Sequence, residues 1–331
     1  MPPVEPFLDS LENGVMPAPD VVVLVLQWGH ADETVRCLRA LRASQGVRFE
    51  AIVIDNASSD AGAADKVRHA HPWVEVVENE HNLGFAGGNN VGLRRLVKAR
   101  ATGASPRWCL LLNNDVELTQ DCLAEMVAVA QAKHAGAVGA LNFERESGAI
   151  ASSGGFMQWP SGTYRDAGRS AAMLGVPHEV ETIAGSTLLL DLDALVGVGV
   201  LDPDYFCVYE ETDLCLRLGA AGRRLWLVPA AHALHAVGAS TSRHIHLYFR
   251  FRNRFRFVRR WGGAGAVRRM LPGLCFELLW RLPVYTVTGR LRAATSILRG
   301  VMDGIRGVVG HGPFVASEPP TDDGRVLLSS T

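Results

Sequence analysis

The first 130 residues alternate apolar runs with amphipathic segments, and this alternation most restricts the folds available to the chain. The run 21–26 is uninterrupted and rich in β-branched residues, as expected for a strand that is buried on both faces. Residues 31–44 then place apolar residues three apart, with acids in the first turn, and this spacing predicts a helix. Repeated strand and helix predict an α/β fold in which helices flank a mainly parallel sheet.

The same patterns predict further strands and helices along the chain. Strands are predicted at 51–54, 74–77, 108–112, 186–190 and 225–228. Thr119 is a plausible N-cap for a helix that continues to Ala130. The segment 142–182 is rich in Gly and Ser, so we interpret it as irregular, a loop or flap that faces the substrate. Beyond His246 the sequence favours helix and is rich in Arg.

The composition favours a cytoplasmic protein that lies at the inner face of the membrane. Six Cys without a CxxC pair indicate buried thiols in a reducing compartment. The sequence shows neither a secretory signal nor about 18 uninterrupted apolar residues, so we expect no spanning helix. Residues 243–306 hold fourteen Arg and two acids, which favours an anionic partner such as phosphate or lipid, the alternative being a solvated helical face.

Polar side chains follow two of the predicted strands. Asp55 and Asn56 come after the second strand, and Asn113, Asn114 and Asp115 come after the fourth. Either group alone is an ordinary turn, because Asx residues favour turns by themselves. In a parallel sheet, however, ligands bind beyond the carboxyl ends of the strands. The placement therefore predicts a binding site at this edge.

A Gly-rich segment lies between these two groups. Residues 82–90 begin at Asn82, include Gly84, and end in Asn89 and Asn90 before an apolar helical pattern. Exposed backbone amides that precede a helix commonly hold phosphate. The segment is neither GxGxxG nor a P-loop, so it does not predict a dinucleotide or P-loop site.

Asp115 is the first candidate metal ligand. A hard divalent cation that bridges a diphosphate needs oxygen ligands on a rigid edge and open positions for phosphate and water. Asp115 fits this role, and Asn113 can add a neutral oxygen. His235 follows the strand 225–228 and offers a second ligand to the same cation.

A second acidic group supplies the candidate base. Glu210 and Glu211 precede an apolar helical pattern that also contains Asp213. Acids near a helix N-terminus either complement the helix dipole or act as a general base.

Together these motifs, in this order, resemble the family 2 glycosyltransferases with the GT-A fold, particularly their bacterial rhamnosyltransferase-like and galactofuranosyltransferase-like branch. The similarity covers roughly residues 20–260. The matching positions are 55–60, 82–90, 112–115, Gly185, 201–206, 210–217, Pro229, His235 and Ser240.

The resemblance implies a role for each matching residue. Asp55 would bind the pyrimidine base, and the donor ribose and diphosphate would meet the Gly-rich segment and the Asn113 motif. Asp115 and His235 would hold Mg²⁺ or Mn²⁺, and Glu211 would be the catalytic base. The acceptor-side residues are Gly185, Glu210 and Asp213, and the two acids remain alternative bases. The donor-side residues are Asp55, Asn82, Gly84, Asn89, Asn113, Asn114 and Asp115.

Two positions depart from the family pattern. The base is commonly Asp, whereas this chain has Glu211, which is longer by one methylene. The first strand usually ends in Asn-aromatic-Asn, and here it ends in Gln27-Trp28-Gly29.

The resemblance also implies the reaction and the domain plan. We expect an inverting hexosyltransferase that moves rhamnose or galactofuranose from a dTDP- or UDP-sugar to a saccharide or lipid-linked saccharide of a cell-surface polysaccharide. The expected partners include an anionic membrane surface and exclude nucleic acid. We expect a leader (1–19), a catalytic domain (20–245, donor half 20–141, acceptor half 142–245), a helical basic extension (246–310) and a flexible tail (311–331).

Two other functions compete with this hypothesis. A nucleotidyltransferase would carry a basic Gly-rich loop after the first strand, where this chain has Gln27-Trp28-Gly29-His30. A non-catalytic nucleotide-sugar-binding component of a polysaccharide assembly complex would not need Glu211, Asp115 and His235.

Overall fold

A computed structural model describes residues 19–103, 105–167, 175–236 and 242–314. The predicted leader up to residue 18, Ser240, and the predicted tail beyond residue 314 lie outside the described residues.

The first half of the chain follows the predicted alternation closely. The helix expected to start at Thr119 begins three residues later, and Thr119 instead donates through its N and Oγ1 to the carbonyl of His232, both at 3.1 Å. The elements are β1 (Val21–Gln27), α1 (Ala31–Arg42), β2 (Phe49–Asp55), α2 (Ala63–Ala70), β3 (Glu75–Glu78), α3 (Gly84–Ala101), β4 (Trp108–Asn113), β5 (Val116–Leu118) and α4 (Cys122–Lys133).

The second half contains more regular structure than we predicted. The elements are β6 (Ala137–Glu144), β7 (Ile150–Ser152), β8 (Gly155–Gln158), β9 (Thr163–Asp166), β10 (His178–Val180), β11 (Thr187–Asp191), α5 (Leu192–Val198), a 3₁₀ turn (Pro203–Tyr205), α6 (Glu210–Ala220), β12 (Leu225–His235), α7 (Arg243–Trp261), α8 (Ala266–Val287) and α9 (Leu291–Arg306). The prediction that 142–182 is irregular is therefore wrong. Its strands are short, and β8 pairs with β9 and, through Gly155 alone, with Thr182, so little of their sequence carries a buried alternating pattern.

Ten strands of the described residues form one mixed sheet, in the order β10-β12-β6-β11-β4-β1-β2-β3, with β5 beside β12 and β7 beside β6. The donor half is parallel from β4 to β3, and β11 runs antiparallel between β4 and β6. This arrangement confirms the predicted α/β fold. Gln27 is paired with Asp55, and Leu26 with Asn113, so the carboxyl ends of β1, β2 and β4 lie at one edge.

Strand β12 is longer than predicted because it continues through an irregularity. Leu225–Val228 pairs with Ala137–Ala140, and pairing resumes only from His232, opposite Leu141. Pro229 lies in the interruption, where the missing N–H of proline removes no ladder hydrogen bond. The resumed strand carries His235 to the edge of the sheet.

Apolar layers on both faces hold the sheet. Val21 to Val25 are fully buried, as the uninterrupted run in the sequence predicted. Each fully buried Val or Leu side chain contributes about 1.5–3 kcal/mol relative to exposure. Cys37, Cys109, Cys122 and Cys215 are buried free thiols, whereas Cys275 is exposed, contrary to the prediction for the group as a whole.

The arginines of α7 bind the protein itself. Arg252 and Arg254 are buried, and Arg254 pairs with Glu277 at 2.7 Å. Arg256 and Arg260 both contact Asp202. The prediction that the whole basic block faces an anionic partner is therefore wrong for Arg252, Arg254, Arg256 and Arg260, and the alternative of a solvated face is wrong for the buried Arg252 and Arg254. No helix of the described residues has both the length and the apolarity to cross a membrane.

Candidate functional site

Asp115 and His235 meet through the pairing of two strands distant in sequence. Strand β5 follows Asp115 directly and pairs antiparallel with the end of β12, so that Val116 lies opposite His235. The N–H of Ala236 donates to the carbonyl of Asp115 at 2.9 Å. This backbone frame brings Nε2 of His235 to 3.2 Å from Oδ1 of Asp115.

The Asp115 carboxylate has the environment of a cation ligand. Its side chain is 1% exposed, and neither oxygen accepts a hydrogen bond within the described residues. A buried carboxylate without donors is strongly unfavourable unless a positive charge compensates it. The described residues hold no group of three or more His, Cys, Asp or Glu that could bind a metal ion. Asp115 and His235 therefore fit a divalent cation that takes its other ligands from phosphate and water.

The two asparagines before Asp115 differ in their surroundings. The N–H of Asn113 donates to the carbonyl of Ser186 at 3.0 Å, and its side chain is half-buried. Asn114 is buried, and its Nδ2 donates to Oγ1 of Thr34 at 3.0 Å. The amide nitrogen of Asn114 thus fastens α1 to the end of β4, and a donor contact by Asn114 stays a prediction.

Asp55 lies at the same sheet edge, held from two sides. Nε2 of Gln27 donates to Oδ2 at 3.2 Å, and the N–H of Ser58 donates to Oδ1 at 2.9 Å. Oε1 of Gln27 is buried and accepts no hydrogen bond within the described part of the chain. Gln27, where the family pattern has Asn, therefore orients the residue predicted to bind the base.

The Gly-rich segment is the start of a helix and not a loop. Helix α3 begins at Gly84, whose φ is +71° and whose Cβ, if present, would lie 2.4 Å from the carbonyl oxygen of Phe206. A Cβ on Gly88 would lie 2.5 Å from Leu26. These glycines permit close packing of α3 against β1 and against residues 206–209, which we call the 206 loop. That the segment holds the donor diphosphate stays a prediction.

The asparagines of this segment also make internal hydrogen bonds. Oδ1 of Asn82 accepts from the N–H of Gly84 at 2.8 Å and from Nδ2 of Asn56 at 2.9 Å. Nδ2 of Asn89 donates to the carbonyl of Phe85 at 3.0 Å, and the residue is buried. Asn82 thus shapes the entry to α3 through its oxygen. A donor contact by Asn82, Gly84 or Asn89 stays a prediction. Among the side-chain polar atoms of Asn82 and Asn89, Oδ1 of Asn89 accepts no hydrogen bond in the described residues and so is available to a ligand.

Gly185 connects the predicted metal side to the predicted base. A Cβ on Gly185 would lie 3.0 Å from the ring of Phe85 and 3.5 Å from Cβ of Glu211. The next residue, Ser186, accepts the hydrogen bond from Asn113. The acceptor-side placement of Gly185 next to Glu211 therefore has a direct geometric basis.

Glu210 and Glu211 begin α6 and lie in different environments. Glu210 is buried, and burial raises its pKa well above the usual range, with a further rise from the charge of Glu211. Burial also raises the pKa of Glu211, but hydrogen bonds from its backbone, from Thr212 and from Glu210 oppose the rise. Burial therefore raises the pKa of Glu210 more than that of Glu211, which favours Glu211 as the ionised acid of the pair.

A short chain of hydroxyls orients Glu211. Oγ1 of Thr212 donates to Oε1 of Glu211 at 3.3 Å, and Oγ1 of Thr182 donates to Oγ1 of Thr212 at 3.4 Å. A half-buried carboxylate that is ionised and fixed in direction has the properties of a general base.

Asp213 cannot serve as the alternative base. It is fully buried, and Oδ1 accepts from Nε1 of Trp261 at 2.9 Å. Oδ2 accepts from Nε of Arg217 at 2.8 Å and from Nη1 of Arg260 at 3.3 Å. Asp213 joins α6 to α7, so its place among the acceptor-side residues is corrected to a structural one.

The loop before α6 is strained, and α7 holds it. Phe206, Val208 and Tyr209 have φ of 65°, 69° and 84°, a region that costs non-glycine residues on the order of 1–3 kcal/mol each. Nδ2 of Asn253 donates to the carbonyls of Tyr205 at 2.9 Å and of Cys207 and Val208 at 2.7 Å. Arg252 adds a bond of 2.8 Å to the carbonyl of Tyr205.

Our sequence reasoning missed Asn253 and Arg252. The available signal was two adjacent polar residues, Arg-Asn, inside an otherwise aromatic and apolar helix stripe. Such residues are rarely buried unless they bind other groups.

We expect Asn253→Ala to lower kcat roughly 10- to 100-fold with little change in donor KM, because Glu211 follows the released loop and small misplacements are costly. Steady-state kinetics on the folded fraction measures this effect. Gln131→Ala, an exposed amide on α4, is the matched control. An unchanged kcat in Asn253→Ala at reduced thermal stability would limit Asn253 to a purely structural role.

The chain is similar in sequence to known glycosyltransferases. Residues 21–185 match the family described as Glycosyl transferase family 2. The chain is 25% identical over 215 residues to the low-salt glycan biosynthesis hexosyltransferase of Haloferax volcanii, covering 62% of this chain and 66% of the relative. It is 28% identical to a rhamnosyltransferase of Escherichia coli, covering 65% of this chain and 83% of that one.

The name of a third relative states the substrate class of that relative. The chain is 26% identical to the N-acetylglucosaminyl-diphospho-decaprenol L-rhamnosyltransferase of Mycobacterium tuberculosis, with 67% of this chain and 77% of the relative covered.

Solved structures share the fold at low identity. The mannosyltransferase of Pyrobaculum calidifontis, in complex with GDP-Man and Mn²⁺, aligns with a TM-score of 0.53 at 16% identity, over 90% of this chain and 93% of that one. GalNAc-T7 with UDP, GalNAc and Mn²⁺ aligns with a TM-score of 0.55 at 16% identity, over 74% of this chain and 48% of that one. Likeness at this level establishes the fold.

Proposed function

This glycosyltransferase carries a family 2 domain with the GT-A fold, and we propose that it transfers a sugar with inversion from a nucleotide diphosphate to an acceptor hydroxyl. The established transferase class removes the non-catalytic alternative. The family also removes the nucleotidyltransferase alternative.

One observation carries the proposal. Asp115 has two buried carboxylate oxygens without donors, 3.2 Å from the ring nitrogen of His235, at the edge where Asp55 and Asn113 also lie. A ligand that brings positive charge would satisfy this carboxylate. A divalent cation, Mg²⁺ or Mn²⁺, supplies charge neutralisation to a departing diphosphate when bound.

The remaining chemistry belongs to Glu211. Its carboxylate takes the proton of the acceptor hydroxyl while that oxygen forms the bond to the anomeric carbon. The bond from the anomeric carbon to the diphosphate oxygen breaks, and its electron pair leaves with the nucleoside diphosphate. Attack from the face opposite the nucleotide inverts the anomeric centre. Fixed hydroxyl donors at Thr212 and Thr182 keep the carboxylate in one direction before the substrate arrives.

The donor we propose is a dTDP- or UDP-sugar, with rhamnose or galactofuranose as the sugar. Asp55 is a carboxylate at the sheet edge, oriented by Gln27, and a pyrimidine offers the imide N–H that such an acceptor binds. Two of the relatives are rhamnosyltransferases by name.

The acceptor we propose is a saccharide or lipid-linked saccharide of a cell-surface polysaccharide, reached at the inner face of the membrane. The mycobacterial relative acts, by its name, on a diphospho-decaprenol-linked sugar. Peripheral contact with an anionic membrane belongs to this proposal, since an acceptor anchored in lipid must be met at the bilayer surface.

A thermal-shift screen of UDP-, dTDP- and GDP-sugars, each with and without Mn²⁺, tests the donor. We expect one pyrimidine-nucleotide sugar to raise Tm only when Mn²⁺ is present. A ligand at 100 times its Kd stabilises by about 2.7 kcal/mol, enough for a clear shift. Stabilisation by GDP-sugars alone would overturn the role of Asp55, and no shift with any donor would overturn the proposal.

A further inference from the structure

Helices α8 and α9 expose a large set of apolar side chains. Phe276, Leu279 and Val287 are 71%, 75% and 88% exposed. We define the apolar face as these three together with Trp280, Val284, Leu291, Leu298, Met302 and Ile305. Large exposed apolar patches mark interaction sites in soluble domains.

The exposed residues share one side of each helix. On α8 they recur at positions 276, 279, 280, 284 and 287, which is the spacing of a single helix face. On α9, positions 291, 298, 302 and 305 follow the same rule. The opposite sides are already used, because Met270 and Leu274 of α8 and Ile297 of α9 are buried in the cluster around α7. The apolar face is therefore a second face that the fold leaves uncovered.

The charge of residues 262–314 indicates which kind of partner the apolar face fits. Residues 262–314 contain seven Arg and only two acids, Glu277 and Asp303. Glu277 is bound by Arg254 at 2.7 Å and by Arg281 at 2.9 Å, and Asp303 accepts from the hydroxyl of Tyr248 at 2.8 Å. Both acids are thus occupied within the protein, whereas Arg268 and Arg299 are exposed. Exposed apolar groups with surrounding arginines complement an anionic lipid surface.

Trp280 adds a feature of the lipid interface. The guanidinium of Arg281 lies 4.8 Å from its ring centroid, and the ring is 48% exposed. Trp favours the headgroup level of bilayers because its ring is apolar and its N–H is polar.

The uncovered helices also lie close to the predicted acceptor side. Glu277 of α8 pairs with Arg254, whose Nε donates to the carbonyl of Ser161 at 2.6 Å. The next residue, Gly162, accepts from the hydroxyl of Tyr209, the residue before Glu210, at 2.9 Å. Few contacts therefore separate α8 from the start of α6.

We propose that α8 and α9 lie flat on an anionic membrane, with the apolar face at the boundary between headgroups and acyl chains and the arginines at the level of the lipid phosphates. A lipid-linked acceptor would then reach Glu211 from the bilayer surface, and this consequence rests on the proposed function. The docking itself does not depend on transfer.

Flotation with vesicles tests the docking. The full chain is mixed with vesicles of phosphatidylcholine alone or with one third phosphatidylglycerol, without donor or metal. We expect binding to the anionic vesicles that weakens at high salt, because salt screens charges near the surface. The triple variant Phe276→Gln, Leu279→Gln, Val287→Gln should bind at least about tenfold more weakly, since it removes buried apolar area from the docked state. These positions are exposed, so the fold should tolerate the change.

Val196→Gln is the matched control, because Val196 is an exposed apolar residue on α5, outside the apolar face. Equal binding of the triple variant and the parent chain would overturn the proposal. Concentration-dependent dimers that disappear in the triple variant, without vesicle binding by the parent, would instead assign the face to a second copy of the chain. Donor-dependent thermal shifts should be unchanged in the triple variant, which separates failure of docking from failure of the proposed function.

Discussion

Replacing Asp115 by Asn will abolish transfer, with kcat reduced by about 10³-fold, and will remove the Mn²⁺-dependent thermal shift produced by the donor. The loss of several kcal/mol of charge stabilisation on the leaving diphosphate accounts for the rate effect. In the absence of metal the variant should be at least as stable as the parent, because Asp115 is a buried carboxylate whose oxygens have no donors. Kinetics and thermal unfolding with and without Mn²⁺ measure both effects.

The expected fall in activity without a fall in metal-free stability distinguishes a metal ligand from a structural residue. A residue with a purely structural role loses stability when it is replaced, and activity falls with it. Asp121→Asn is the matched control, since Asp121 is an exposed acid that precedes α4 and makes no side-chain capping bond. If Asp115→Asn keeps its Mn²⁺ response, the cation is held elsewhere and the Asp115–His235 pair is not its site.

Glu211→Gln should lower kcat by about 10²–10⁴-fold, the range in which a general base contributes. Gln keeps the size of the side chain but cannot take a proton. The thermal shift produced by donor and Mn²⁺ should remain, because Glu211 lies on the acceptor side. Steady-state kinetics and the donor titration measure the two effects on the same preparation.

Glu210→Gln is the matched control, because Gln resembles the neutral acid that burial imposes at this position. We expect this variant to keep most of its activity. If Glu210→Gln loses as much activity as Glu211→Gln, or more, the roles of the two acids are reversed.

The parent enzyme should also lose activity toward low pH earlier than an ordinary glutamate would predict. The base must be ionised, and burial raises the pKa of Glu211 above its usual value. Activity is therefore present above the raised pKa and is lost as pH falls through it, at a pH above about 4.3, the value of a solvated glutamate. A profile of kcat against pH in the parent checks this sign.

The fold was largely predictable because its signals are local. Runs such as 21–26 are buried on both faces, and burial on both faces requires an uninterrupted apolar sequence. The weakest predictions fell in 142–182, where β8 and β9 form a separate two-stranded sheet with few buried positions. A hairpin with few buried positions does not require alternating apolar residues, so its sequence shows no clear strand pattern.

The site was predictable in part. Asp115, His235 and Glu211 were chosen from motifs, and the structure brings Asp115 beside His235 and Glu211 beside Gly185. Asn114 and Asp213 belong to the same motifs, yet their side chains bind α1 and α7. A motif gives residue identity and order, but neighbours in a turn or helix point in different directions.

By itself, the sequence determined most of the strands and helices outside 142–182, the buried runs, and the strand ends at which polar residues collect, because these depend on periodicity over a few residues. Tertiary structure alone decided that β5 pairs with the end of β12, and so that Asp115 meets a histidine 120 positions later. It also decided that the arginines of α7 fix Asp202, Asp213 and the 206 loop while those of α8 and α9 surround an uncovered apolar face. Charge and hydrophobicity are properties of a residue, whereas the partner that compensates them is a property of the packed chain.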